Sequence, residues 1–390
     1  MSSRNSSNHT YIPELSFDSP LTNLIIDLDA LRSVTTFGTT PSHIFAQLKY
    51  LFHILESIES ARIEGNRTTI AEVMDYKQEH GDKPTEDERF KEIFNIEKAL
   101  KFIDENVHEN NIDASFISHL HTMVVDGLER EGSKTPGTLR LENVSISGSA
   151  HTPPEGMKVP ELLDDLISFI NNEQESKYDL LKIAISHHRF AWIHPFDNGN
   201  GRMARLVTYA MLIKFGFPLD ADGRIINPTG LFCSDRNKYY EMLSDADQNG
   251  DEGIIRWCIY VLGGIKEEVG KVKKLTDYKY LSEKVLMPSI EEAKKMNAIS
   301  RDYSKVLLKV ISKQKATASD IRLDFEDYYP EKISRMLKKM IEVKLIRRFP
   351  KNDSRTLVPI FINNSLMRFV INQLFKQGYL VDQINDLPGK

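Results

Sequence analysis

Apolar residues recur every three or four positions through most of the chain, the spacing that places them on one face of an α-helix. The clearest example follows Thr40 and Pro41, a pair typical of a helix cap and first turn. This helix is predicted over residues 41–65, ending near Gly65. The same spacing predicts further helices over residues 87–106, 159–173, 178–193 and 202–216. The protein is therefore predicted to be mainly α-helical.

One internal segment, residues 135–154, has a different pattern. Leu139, Leu141, Val144 and Ile146 come close to strict alternation with polar residues, and Pro and Gly flank them on both sides. Alternation of this kind is typical of β-strands, and the flanking residues are typical of turns. We predict a short β-hairpin on the helical body.

The C-terminal part of the chain changes in charge. Residues 300–360 contain 15 Lys or Arg against 8 Asp or Glu, whereas the whole chain has a net charge of −5. Three helical patterns are followed by a strand pair, "KLIRRFP" and "TLVPIFI", around the turn "KNDS". This order predicts a winged helix-turn-helix domain. Such domains contact DNA or dock on proteins, and the sequence leaves both open.

A chain of 390 residues is longer than one hydrophobic core usually supports, which predicts more than one domain. We divide it into an N-terminal arm with a disordered start, a central domain, a charged helical connector broken at Pro288, and the winged-helix-like domain with a C-terminal tail. The bounds are, in that order, residues 1–40, 41–270, 271–299 and 300–390.

The composition excludes several classes of protein. The two cysteines, Cys233 and Cys258, belong to no CxxC pair, so neither a disulfide framework nor a zinc cluster is expected. No stretch approaches the roughly 18 apolar residues of a membrane span, and the first residues lack a signal peptide's apolar run. We expect a cytoplasmic protein without a membrane partner.

The stretch "HPFDNGNGRMAR", from His194 to Arg205, carries the strongest chemical signal. Pro195 disfavours continuing the preceding helix, and "NGNG" permits backbone conformations in which successive N–H groups face one anion. The next helix then begins with Arg202 and Arg205 in its first turn, where the helix dipole disfavours cations. Two such arginines beside an anion-binding loop indicate a polyphosphate ligand.

This stretch resembles the signature of the Fic family, His-Pro-Phe-x-Asp/Glu-Gly-Asn-Gly-Arg-x-x-Arg, and the likeness extends over about residues 40–265. Family members are helical proteins that usually transfer AMP from ATP to a hydroxyl side chain of a target protein. The resemblance implies that His194 is the catalytic base that takes the proton from the target Ser, Thr or Tyr. It also implies that Phe196 anchors the loop in the core.

The resemblance assigns roles to further residues. Those that would bind the nucleotide are Gly199, Asn200 and Gly201 at the α and β phosphates, Arg202 and Arg205 at the β and γ phosphates, and Tyr239 and Tyr240 beside the adenosine. The flap that would pair with the target as an added strand comprises Val144, Ser145, Ile146 and Ser147. ATP is the implied substrate, with Mg²⁺ or Mn²⁺.

The segment "SARIEGN", from Ser60 to Asn66, resembles the inhibitory motif that precedes the core in self-restrained Fic proteins. Glu64 lies near the carboxyl end of its predicted helix, where the dipole disfavours an anion. Arg205 is its expected partner, and an ion pair would occupy the arginine that should bind the γ-phosphate. Ser60, one turn earlier on the same face, would hydrogen-bond into the anion-binding loop.

One residue departs from the family pattern. Asn198 stands where Asp or Glu is usual, so it is a weak candidate as the metal ligand, because its oxygen carries no charge. Asp197 is the neighbouring alternative. The departure leaves open a lower metal affinity, low activity, or a regulatory role.

Several alternatives remain at this point. Some Fic proteins remove AMP from their targets, and others transfer a different nucleoside monophosphate. A DNA-binding regulator with a weak Fic enzyme as its sensor is an alternative of another class. The target protein cannot be read from the sequence, and a homodimer remains an open expectation.

Overall fold

The structure, a computed structural model, describes residues 10–33, 38–81, 83–146, 151–172, 175–216, 228–351 and 354–380. The N-terminal and central helices are α1 (Pro20–Ser33), α2 (Ser42–Ile63), α3 (Ile70–His80), α4 (Glu88–Asn106), α5 (Ala114–Val125), α6 (Val159–Asn171), α7 (Asp179–Ile193), α8 (Asn200–Lys214), α9 (Pro228–Ser234), α10 (Arg236–Gln248) and α11 (Gly250–Thr276). Short 3₁₀ turns at Gly156–Lys158 and Ser176–Tyr178 lead into α6 and α7.

The C-terminal elements follow without a long gap. They are α12 (Tyr278–Leu281), a π-helical turn (Ser282–Leu286), α13 (Met287–Lys295), α14 (Arg301–Ser312), β1 (Ala316–Thr317), α15 (Ala318–Arg322), α16 (Pro330–Glu342), β2 (Ile346–Arg348), β3 (Thr356–Pro359) and α17 (Met367–Lys376). The strands form one antiparallel sheet in the order β1, β3, β2, in which Arg347 lies opposite Val358.

Helix α2 runs through the core of the central region. Most of its residues are buried, because α4, α8 and α9 pack around it. A helix surrounded on all sides is expected to be apolar around most of its circumference, and α2 is. Its polar exceptions find partners inside the protein: the Ser57 hydroxyl, for instance, donates to the carbonyl of His53 at 2.7 Å. Around this centre, α7 packs on α8, and α10 and α1 pack on α11.

The helices predicted from periodicity are confirmed within one to two residues, and α2 ends beside Gly65 as expected. The predicted cap of α2 is wrong. The Thr40 hydroxyl donates to the carbonyl of Leu275 at 2.9 Å, and Pro41 occupies the cap position without a side-chain hydrogen bond. Thr40 therefore ties the start of α2 to the end of α11, a long-range contact that local sequence does not reveal.

The three helices and the strand pair predicted for residues 300–362 are present, and β1 and α17 add to them. The predicted break at Pro288 is wrong. Pro288 stands in the first turn of α13, directly after the π-helical turn, where a residue without an N–H is tolerated. Helix α13 packs against α14 and α17, so the second half of the predicted connector joins the C-terminal core.

The C-terminal part docks on the first half of helix α2. The buried Gln47 amide donates to the carbonyl of Pro359 at 3.1 Å and accepts from the N–H of Phe361 at 2.9 Å. The Tyr50 hydroxyl donates to Asn363 at 3.0 Å, and the rings of His43 and Phe349 lie 4.8 Å apart. The helix that ends at Glu64 is thus fixed at its other end by the C-terminal part.

The segment predicted as a hairpin is described up to residue 146, and residues 138–146 carry no strand assignment. Of the predicted flap, Val144, Ser145 and Ile146 are described, and Ser147 lies outside the described residues. None of the helices in the described ranges combines the length and the apolar character of a membrane span.

Candidate functional site

A cavity of about 660 Å³ opens where the end of α2, the loop between α7 and α8, and the start of α10 meet. Its lining includes Glu64, His194, Gly201 and Arg205. Pockets of about 300–1,000 Å³ are typical of small-molecule sites. The structure therefore brings Glu64 to the same cavity as the motif residues, from which it is far apart in sequence.

His194 ends helix α7 in a left-handed conformation, with φ 52° and ψ 61°, and its N–H donates to the carbonyl of Phe190 at 3.1 Å. This conformation is uncommon for a residue other than glycine and turns the chain sharply before Pro195. Burial lowers the pKa of His194 to about 4, a shift to which Arg140 and His151 contribute. The imidazole is therefore neutral at pH 7 and able to accept a proton.

The loop after His194 is held by its own side chains. Asn200 accepts a hydrogen bond from the N–H of Phe196 and donates one to its carbonyl, each at 2.9 Å. The Phe196 ring is fully buried, as the sequence predicted. The Asn200 side chain thus fixes the loop through both of its polar atoms, and the residue also lines the cavity.

His121 on α5 supports the same loop and was not assigned a role from the sequence. Its ring stacks on Phe196 with centroids 3.7 Å apart. Nδ1 accepts a hydrogen bond from the N–H of Gly137 at 2.9 Å, so Nε2 carries the proton and donates to the carbonyl of Asn198 at 3.1 Å. Burial lowers the pKa of His121 to about 4, which keeps this tautomer neutral.

Arg140 is the second residue that sequence reasoning missed. It is buried, and its guanidinium donates to the carbonyls of His194 at 2.7 Å, Ile193 at 3.1 Å, Pro154 at 2.8 Å and Glu142 at 2.8 Å. One side chain thus ties the loop that carries His194 to both ends of the flap segment. The available signal was an arginine between two leucines of an alternating apolar pattern.

Glu64 and Arg205 form an ion pair at the edge of the cavity, with Glu64 Oε1 2.7 Å from Arg205 Nη2. Arg205 Nε also donates to the Ser60 hydroxyl at 2.9 Å, and Nη2 to the Ser60 carbonyl at 3.1 Å. Burial would raise the pKa of Glu64, but Arg205, with Arg202 and Arg236, holds it below its usual value. The structure therefore places Ser60, Glu64 and Arg205 in direct contact.

The carboxylate also lies against the start of α8. A Cβ built on Gly201 would be 2.3 Å from Glu64 Oε1, so a larger residue would displace the glutamate. Arg205 is buried, and its Nη1 has no hydrogen-bond partner among the described residues. A buried guanidinium donor without a protein acceptor at a cavity wall indicates an anionic ligand.

Arg202 is placed differently from Arg205. Its guanidinium is buried 3.3 Å from Glu92 Oε1 and donates to the carbonyl of Glu131 at 2.6 Å, and it is absent from the residues that line the cavity as described. Burial raises the pKa of Glu92, and Arg202 opposes the rise. Residues from elsewhere in the chain thus compensate this cation, and its contact with a phosphate stays a prediction.

Gly199 and Asn198 also lie outside the lining of the cavity as described. The Gly199 N–H donates to Asn198 Oδ1 at 2.7 Å, and Asp197 Oδ2 accepts from the N–H of Lys134 at 2.9 Å. Both candidate metal ligands thus bind backbone, and the described residues contain no cluster of three metal-binding side chains. A Mg²⁺ ion held also by the phosphates of a nucleotide needs only one or two carboxylates, and of these two residues only Asp197 carries one.

Tyr239 belongs to a hydrogen-bonded chain across three helices. Because the Thr208 hydroxyl donates to the carbonyl of Ala204, its oxygen accepts from His187 Nδ1 at 2.7 Å. His187 Nε2 then accepts from the Tyr239 hydroxyl at 2.9 Å. The hydroxyl is therefore committed inside the protein, burial raises its pKa, and only the ring of Tyr239 is presented to the cavity.

The opposite wall is formed by Tyr240, Arg236 and Ile146. Tyr240 is 44% exposed, and its ring centroid is 5.2 Å from that of Tyr239. The Cζ atom of Arg236 lies 5.5 Å from the centroid of the Tyr240 ring. An aromatic pair beside a cation provides a surface on which a flat ring could stack. Ile146, the last described residue of the flap, brings that segment to the same cavity.

Comparison with known proteins shows which of them this chain is similar to. Residues 111–212, which run from just before α5 to near the end of α8, match the model of the Fic/DOC family. The chain contains a Fic domain. The Fic match includes His194, the glycine-rich loop and both arginines, whereas Glu64 and the tyrosine pair lie outside it.

Curated proteins similar to this chain are named protein adenylyltransferase Fic. The chain is 26% identical over 238 residues to a protein adenylyltransferase Fic of Aedes aegypti, covering 59% of this chain and 43% of that protein. It is 28% identical over 239 residues to one of Nematostella vectensis, covering 59% and 50%. The chain therefore spans half or less of the length of these curated relatives.

The fold is also found in a solved structure of a Fic family protein from Desulfovibrio desulfuricans G20. The TM-score is 0.54 at 17% identity, over 90% of this chain and 98% of that one. The likeness thus includes the C-terminal part as well as the Fic domain, and at this identity it concerns the fold alone.

Proposed function

We propose that the protein is an adenylyltransferase that moves AMP from ATP to a hydroxyl side chain of a target protein, and that Glu64 restrains it. The observation that carries the proposal is the ion pair of 2.7 Å between Glu64 and Arg205 in the wall of the cavity that holds His194. The names of the relatives support the reaction class.

In the proposed reaction the oxygen of the target hydroxyl forms a bond to the α-phosphorus of ATP. The bond between that phosphorus and the oxygen bridging to the β-phosphate breaks, and pyrophosphate leaves. A ring nitrogen of His194 takes the hydroxyl proton, for which its neutral state at pH 7 is required. The backbone N–H groups at the start of α8 and the Arg205 guanidinium stabilise the negative charge of the phosphates.

Glu64 restrains this reaction by occupying the guanidinium that the phosphates require. Its carboxylate lies against Gly201, where the backbone must approach the ligand closely. A triphosphate in the cavity would meet like charge at short range and would lose Arg205 as a partner. Nucleotide would therefore bind weakly or in an unreactive position until Glu64 moves.

Removal of AMP from a modified target is the second reaction that this site supports. The Glu64 side chain keeps 26% of its surface exposed at the cavity, so its carboxylate is accessible to a water molecule that it could orient. In that case Glu64 would be required for the reaction instead of opposing it. The two proposals predict opposite effects of removing the carboxylate.

The deciding experiment measures AMP incorporation by intact mass after incubation of the protein with ATP and Mg²⁺ or Mn²⁺. Glu64→Gly is expected to raise self-labelling or target labelling at least about tenfold, and His194→Ala in the same background to abolish it. Glu109→Gly, an exposed glutamate in the turn after α4, is the matched control and should behave as the wild type. Unchanged labelling in Glu64→Gly would refute the restraint. Loss of AMP removal from a labelled target in that variant would favour the second reaction.

A further inference from the structure

The C-terminal part carries a one-sided distribution of charge. Helix α16 packs against α15 and β2. Its buried residues are Ile333, Met336, Leu337 and Met340. Every exposed residue of the helix is polar or charged apart from Pro330 at its start. The exposed cations of α16 and of the segment around β2 and β3, here called the basic face, are Lys332, Arg335, Lys338, Lys339, Lys344, Arg347, Arg348, Lys351 and Arg355.

The cations of the basic face differ from those of the neighbouring helix α14. There Lys309 pairs with Asp324 at 3.0 Å, and Lys313 pairs with Asp320, so structural ion pairs account for both charges. Within the described residues, none of the nine cations of the basic face forms an ion pair with a carboxylate. These nine exposed cations therefore carry charge that no ion pair within the described residues neutralises, in a chain whose net charge is −5. The exposed acids on α16 are Glu331 at its start and Glu342 at its end.

The shape of this surface fits a duplex. Helix α16 has 13 residues and is about 20 Å long, and its outer face carries Lys332, Arg335 and Lys339 at spacings of three and four. A major groove about 12 Å wide accepts one such helix. Strand β2, which packs against α16, adds Arg347 and Arg348, two exposed cations that project from opposite faces of the strand.

We propose that the basic face binds double-stranded DNA, with α16 toward the major groove and the β2–β3 hairpin against the phosphate backbone. An acidic protein is the competing partner. Protein interfaces usually have a buried apolar or aromatic centre. The surface of α16 between Lys332 and Lys339 offers no apolar side chain within the described residues, and the exposed Tyr329 and Val343 lie at the two ends of the helix. The acidic residues Glu326 and Asp327, in the turn before α16, mark one border of the face.

Binding is tested on the full chain with a fluorescein-labelled 24-base-pair duplex of mixed sequence, by anisotropy between 50 and 300 mM NaCl. We expect binding that weakens steeply with salt, because released counterions drive it. The triple variant Lys332→Gln, Arg335→Gln, Lys339→Gln should bind at least about tenfold more weakly at 100 mM salt and reduce the log–log salt slope by about 2 to 3.

The matched control removes three exposed lysines elsewhere: Lys98→Gln, Lys284→Gln, Lys295→Gln. It has the same net charge as the first variant and should bind within about twofold of the wild type. A second set, Arg347→Gln, Arg348→Gln, Lys351→Gln, tests the hairpin independently should the α16 variant fail to fold, as judged by thermal unfolding.

Three results would overturn the proposal. The first is the absence of duplex binding by the wild type at 50 mM salt. The second is equal weakening by the control set, which would mean that net charge alone attracts the DNA. The third is displacement of the duplex by poly-glutamate at equal charge concentration, which would favour an acidic protein as the partner. None of them bears on AMP transfer, so the proposed function is tested separately.

Discussion

Arg140 offers the sharpest test of how the catalytic loop is held in place. Replacing it with Met keeps a long apolar stem and removes the guanidinium that donates to four carbonyls. The bond to Ile193 lies in a buried environment, whereas those to His194, Pro154 and Glu142 are partly buried, so water can replace part of what is lost.

The magnitude follows from these contacts. A hydrogen bond from a charged donor contributes about 1.5–3 kcal/mol, and a buried acceptor left without a partner costs about 1–3 kcal/mol. With one buried and three partly solvated acceptors, we expect a loss of about 2–4 kcal/mol in the free energy of unfolding. For a cooperative unit of roughly 230 residues, Tm falls by about 2 °C for each kcal/mol lost from the free energy of unfolding, which predicts a fall of about 4–8 °C.

The assay is thermal unfolding, paired with AMP transfer kinetics in the Glu64→Gly background. Arg140→Met should lower kcat more than it raises KM for ATP, because the displaced group is the loop that positions His194. Arg140→Lys should recover part of both losses. Arg130→Met is the control: its side chain is 83% exposed and should change Tm by less than about 1 °C. A Tm for Arg140→Met no lower than for that control would refute the reasoning.

Three further predictions follow from the site. In the Glu64→Gly background, kcat/KM should stay flat from pH 8 to pH 6 and fall only near pH 4–5, because the lowered pKa of His194 delays its protonation; an acidic limb at pH 6.5 would contradict this. Asn200→Ala loses both hydrogen bonds to Phe196 and should lower Tm by about 2–5 °C and reduce transfer. Ser60→Ala removes the hydroxyl acceptor of Arg205 and keeps the Ser60 carbonyl, and it should raise basal AMP transfer about 2–5-fold, less than Glu64→Gly does; no rise, measured by intact mass, would show that the hydroxyl does not contribute to the restraint.

Sequence reasoning predicted the long helices because their apolar spacing is local information. It did not predict β1 or α17, and it assigned no helix to α1 or α3 either, so the missed elements are not all short. A two-residue strand such as β1 depends on the strand that pairs with it. The cap of α2 failed for the same reason: Thr40 has a long-range partner, Leu275, that outcompetes its local one.

Some features of the candidate site could likewise be predicted from the sequence, and others could not. The conformational freedom that Gly199 uses, with its positive φ, could be inferred from the motif itself. The positive φ of His194 could not, because a residue before proline is expected to be extended. That Arg202 is taken by Glu92 and Glu131 could not, because those residues come from other parts of the chain. The motif likewise suggests Asn198 as a metal ligand, whereas in the structure its side-chain oxygen accepts a hydrogen bond from the N–H of Gly199.

Helix α2 connects the proposed restraint at Glu64 to the C-terminal part. Its last residues present Glu64 to Arg205, and about 26 Å away along its axis Gln47 binds the backbone on both sides of Ile360. Sliding or rotating the helix enough to withdraw Glu64 would break both Gln47 hydrogen bonds, which are buried. If withdrawal of Glu64 frees Arg205 for nucleotide, as we propose, the C-terminal part opposes that movement of α2, unless the last turn of the helix unwinds by itself.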